Sequence, residues 1–133
     1  MARPPLTRIL MVEDEPDIQA VARLALQAIG GFAVEFCSFG SEAIEKAPTF
    51  ASELILLDVM MPGMDGPSTL KALREIPQTA TTPVIFMTAK VQPNEIAQYK
   101  AIGALDVIAK PFDPMALSAT INNIWAQYHG YFT

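Results

Sequence analysis

The apolar run Leu54-Ile55-Leu56-Leu57 ends on Asp58 and breaks at once into Val59-Met60-Met61-Pro62-Gly63-Met64-Asp65-Gly66. A short run with no polar alternation suits a strand buried on both faces of a parallel sheet. Such a strand delivers Asp58 to its carboxyl-terminal edge, where open α/β sheets keep their chemistry. A fold that satisfies this stretch must cover both sides of the sheet with helices.

The rest of the chain supplies them. Residues 6–12 read as a first buried strand running into Glu13-Asp14-Glu15, with Asp14 placed to cap a helix opened by Pro16. Ile18, Val21, Ala22, Ala25 and Ile29 recur at helical spacing, and Gly30-Gly31 closes that helix. A second strand is expected at 32–37, then a short helix with Ala43, Ile44 and Ala47 inward that ends before Pro48. The third strand leads to a helix opening near Gly66-Pro67, with Leu70, Leu73 and Ile76 on one face and Pro77 as its stop. Val84-Ile85-Phe86-Met87-Thr88 is a fourth strand. A helix over 93–102 with Ile96 and Tyr99 half-buried follows, then a fifth strand at 106–109 and Lys110-Pro111-Phe112. A last helix over 114–128 carries Leu117, Ile121, Ile124 and Tyr128 on one stripe, with Trp125 at its margin. Five strands alternating with five helices predict an α/β, doubly wound, five-stranded parallel sheet, for which the common flavodoxin-like order 2-1-3-4-5 is expected.

With 133 residues, 51% of them hydrophobic, one domain over 1–133 is expected, residues 1–5 forming a loose tail. A net charge of −5 without a basic cluster argues against direct nucleic-acid binding. The lone Cys37 cannot form an internal disulfide and reads as a buried thiol, and no apolar stretch is long enough for a membrane span. Together these point to a soluble, cytoplasmic protein.

The strand endings carry the chemistry. Strands one, three, four and five stop at Glu13/Asp14, Asp58, Thr88 and Lys110, and the order 2-1-3-4-5 brings all of them to one crevice at the switch point. Three carboxylates at one mouth repel each other unless a cation sits among them. Hard oxygen donors favour Mg2+, or Mn2+ in its place. Lys110 supplies a charge for a phosphoryl oxygen, Thr88 a hydroxyl, and Asp58 the nucleophile for in-line attack.

In order and spacing, Glu13-Asp14, the stretch from Asp58 to Gly66, Thr88-Ala89 and Lys110-Pro111-Phe112 resemble the CheY-like receiver domain of bacterial two-component response regulators. The resemblance implies a phosphoacceptor at Asp58, a metal held by Glu13, Asp14, Asp58 and the Met60 backbone carbonyl, and a switch hydroxyl at Thr88 with Lys110 as counter-charge. It also implies a cis Lys110-Pro111 bond. Such receivers usually carry an aromatic residue three positions before the lysine, where this chain has Val107 in the switch region. The expected function is that of a stand-alone response regulator. It would take phosphoryl groups from a histidine kinase or phosphotransfer protein, catalyse only its own phosphorylation and dephosphorylation, and signal as a monomer or weak dimer to a separate effector. Two alternatives stand beside it. One is a phosphohydrolase of the haloacid dehalogenase type, which wants a second acid where this chain has Met60. The other is a receiver-fold binding module that is never phosphorylated.

Overall fold

A computed structural model describes residues 5–129, so the expected tail lies, apart from Pro5, outside the described residues. Strands β1 (Arg8–Val12), β2 (Ala33–Cys37), β3 (Leu54–Asp58), β4 (Val84–Thr88) and β5 (Asp106–Ala109) form one parallel sheet in the order β2-β1-β3-β4-β5. Helices α1 (Pro16–Arg23), α2 (Gly40–Phe50), α3 (Gly66–Arg74), α4 (Pro93–Ala101) and α5 (Leu117–Tyr128) connect them. The expected fold class is the one observed.

The period of two hidden inside the apolar runs decides which helices cover which face. Ile9, Met11, Leu54, Leu56, Ile85 and Met87 point toward α1 and α5, where they meet Ala22, Leu26, Ile121 and Trp125. Leu10, Val12, Ile55, Leu57, Val84 and Phe86 point the other way, against Ala43 and Ala47 of α2 and Leu70 and Leu73 of α3. Each fully buried aliphatic side chain contributes about 1.5–3 kcal/mol. The sheet is thereby fixed between two apolar layers, and its carboxyl rim becomes a rigid platform.

Local features depart from the expected pattern for identifiable reasons. Asp14 does not cap α1; the N-cap is Glu15, without a side-chain cap. Beyond Arg23 the helix widens into a π-helical segment, Leu24–Ile29, in which the Gly30 N–H reaches the Ala25 carbonyl at 3.1 Å. The wider turn rotates the inner face, so Leu26 is buried while Ile29 is exposed, and Val21, one turn earlier in α1, is exposed as well. Pro48 lies inside the last turn of α2, where the Ala51 N–H seals the end on the Ala47 carbonyl at 3.1 Å. Ile76 does not continue α3: a 3-10 turn over Pro77–Thr79 follows it. In α5 the inner stripe turns toward Trp125, 6% exposed, and leaves Tyr128 outside at 46%.

β2 is an outer strand. The Arg23 guanidinium lies 4.4 Å from the Phe36 ring centroid, and Lys46 pairs with Glu35 at 3.2 Å and with Glu42 at 3.0 Å. Among the described residues no helix is long and apolar enough to cross a membrane.

Candidate functional site

Strand register builds the site. Val12 lies opposite both Cys37 and Leu57, and Asp58 opposite Met87, so the next residues of β1, β3 and β4 emerge together at the carboxyl rim. Ligand oxygens of Glu13, Asp14 and Asp58 lie within 4.8 Å of one another. Lys110, one residue past β5, brings its Nζ to 2.9 Å from Glu13 Oε1 and 3.2 Å from Asp58 Oδ1. The Lys110-Pro111 bond is cis. Gly66 makes the return of the loop possible, since a Cβ there would meet the Asp58 carbonyl oxygen at 2.7 Å. Asp65 caps α3 by accepting from the Ser68 N–H at 2.8 Å.

Burial sets the electrostatics. Glu13 is fully buried and Asp58 is 3% exposed. Loss of hydration lifts both carboxyls above their usual range, against the pull of Lys110. Burial works against the charged form of Lys110 too, but its bond to Glu13 and the charge of Asp58 outweigh that and hold it above the ordinary lysine value. One ammonium facing three acids leaves the cluster short of positive charge. Its donors are hard oxygens, and the Cys37 sulfur lies inside the core, so the residues present fit a hard divalent cation.

The other expected members are present in different ways. Met60 donates its N–H to Asp58 Oδ1 at 3.4 Å, and its side chain is 65% exposed. The Thr88 hydroxyl is buried and accepts from the Lys90 N–H at 3.1 Å, while its carbonyl accepts from the Lys110 N–H at 2.9 Å. Val107 lies opposite Phe86 and packs into the layer beneath α3 and α4. Phe86 meets the Tyr99 ring edge-on, with centroids 5.4 Å apart. The sequence reading missed Gln19, whose amide donates to the Glu13 carbonyl at 2.5 Å. Its place one turn into α1, on the face toward the sheet, was the available signal.

A model of the response regulator receiver domain matches residues 9–122. The chain is similar to the transcriptional activator protein IrlR of Burkholderia pseudomallei, 38% identical over 117 residues, covering 88% of this chain and 49% of that protein. It is also similar to the transcriptional regulatory protein ResD of Bacillus subtilis, 39% identical over 108 residues, covering 81% and 43%. The chain thus spans about half the length of the curated relatives it matches. Among solved structures, the Vibrio cholerae chemotaxis protein CheY4 superposes with a TM-score of 0.82 at 32% identity, over 90% of this chain and 99% of that one.

Proposed function

The chain belongs to the response regulator receiver family, and from that premise we propose that Asp58 accepts a phosphoryl group from the phosphohistidine of a partner kinase or phosphotransfer protein. The observation that carries this reading is the placement of Lys110 Nζ between Glu13 and Asp58, with the Asp14 carboxylate in reach of both acids.

In the proposed reaction an Asp58 carboxylate oxygen attacks phosphorus in line with the leaving imidazole. The new O–P bond forms as the N–P bond breaks, and the departing electron pair returns to the donor's ring. Lys110 lies where it can neutralise a phosphoryl oxygen, and the Met60 N–H holds one Asp58 oxygen in place. The Thr88 hydroxyl exchanges its bond from Lys90 for one to the phosphoryl group, and this relocation moves the loop that leads into α4. Val107 follows by repacking against Phe86 rather than by swinging a ring. Glu13, Asp14 and Asp58, with the Met60 carbonyl, would hold Mg2+ or Mn2+. When bound, the ion supplies charge neutralisation for the transferring group.

The domain acts in the cytoplasm as a phosphorylated signalling module rather than as an enzyme on free substrates. It passes its state through the surface around α4 and α5 to an effector. Incubation with a small acyl phosphate and Mg2+ tests the reading. We expect one hydroxylamine-sensitive phosphoryl group per chain, absent from Asp58→Asn. Sustained turnover of varied phosphate esters would overturn it in favour of a hydrolase, and no modification would overturn it in favour of a silent binding module.

A further inference from the structure

Every polar atom of Glu13 already has a partner in the protein. Its N–H donates to the Cys37 carbonyl at 2.9 Å, Oε1 accepts from Lys110 at 2.9 Å, Oε2 from the Glu15 N–H at 3.1 Å, and its carbonyl from Gln19 Nε2 at 2.5 Å. Asp14 is the opposite case: among the described residues no hydrogen bond engages its half-buried carboxylate. The backbone is therefore the part of Asp14 that the rest of the protein can hold, and it sets where the side chain starts. The peptide group is planar, so the Glu13 carbonyl fixes the plane of the whole link from which Asp14 springs.

From this we propose that Gln19 is a positioning residue of the acidic site. By fastening the Glu13–Asp14 peptide to α1, it aims Asp14 and sets how tightly the site takes a divalent cation. The same amide reaches the Cys37 carbonyl at 3.5 Å and Ser38 Oγ at 3.4 Å. One half-buried side chain therefore ties the loop after β1 to the loop after β2. Gln19 touches neither the nucleophile nor the cation, and acts by holding what does. The inference rests on the cation-binding part of the reading above.

Mn2+ binding followed by water-proton relaxation, alongside thermal unfolding of the metal-free protein, separates positioning from mere support. Gln19→Met keeps the length and loses the donor; it is expected to weaken Mn2+ binding about tenfold, as loss of a group that orients a metal ligand does. Gln19→Glu keeps the shape but adds a negative charge, which on charge alone would tighten binding; positioning requires that it bind more weakly than wild type. Ser118→Ala, which loses a buried bond to the Ala25 carbonyl and none to the acids, should lower the melting temperature and leave the affinity unchanged. Wild-type affinity in both Gln19 variants, with only stability reduced, overturns the role of Gln19 alone. A wild-type protein whose Mn2+ uptake is absent, or indifferent to Asp14→Asn and Asp58→Asn, overturns the cation site and this inference together.

Discussion

Asp14 and Glu13 are neighbours with unequal freedom. Lys110 and the Glu15 N–H already donate to the two carboxylate oxygens of Glu13, and Glu13→Gln keeps an oxygen for one of them, whereas Asp14→Asn removes an uncommitted anionic oxygen. Titration with Mg2+ should accordingly show the larger loss of affinity in Asp14→Asn, about tenfold or more. Cys37 illustrates a residue whose burial removes it from chemistry. Loss of hydration pushes its thiol up to about 12. A folded-state value raised in this way favours the protonated form, so its contribution to stability is complete below the unfolded value and is lost as pH rises toward 12. Alkylation at about pH 8 should leave the native thiol untouched and modify it once urea unfolds the chain.

The α3 start is a local device with a readable energy. Its cap bond to the Ser68 N–H holds the Asp65 carboxyl below the usual range. Stability from it is present above the unfolded carboxyl value and fades as pH falls through the folded one. Asp65→Ala should cost about 1 kcal/mol in urea unfolding at neutral pH, and the deficit should shrink in acid. Strands β3, β4 and β5 were legible in the sequence to the residue, because an apolar run bounded by Pro, Gly or Asp leaves few alternatives. The alternation of element types announced a doubly wound parallel sheet, and the common order expected for it is the one observed. The π-helical Leu24–Ile29 was not legible, since its apolar spacing fits an α-helix equally well. Its wider turn goes with tertiary contacts, among them the Ser118 hydroxyl donating to the Ala25 carbonyl at 2.7 Å. The exchange of Trp125 and Tyr128 across the α5 stripe has the same origin: a few degrees of helix rotation move a side chain across the boundary, and only packing sets them. At the site, the residue types announced the acids and the lysine. Gln19 stayed hidden because an amide bonded to a main-chain carbonyl has no composition signature.

Taken together, the two buried acids make the folded protein's stability depend on what sits at its rim. Burial raises Glu13 and Asp58, so their contribution is complete below the unfolded carboxyl value and is lost as pH rises through the folded values. A cation that replaces the missing charge restores it. Mg2+ should therefore raise the melting temperature more at about pH 8 than at about pH 5, where protons compete for the same oxygens, and chelation should remove the gain. The outermost β2 carries a different consequence. Its backbone offers a ready template for another chain, yet Arg23 lies across Phe36 and Lys46 is clasped to Glu35 directly alongside. Stripping both cations, as in Arg23→Ala with Lys46→Ala, should open a seam along which two copies join edge to edge, visible in light scattering as a doubling of the particle mass.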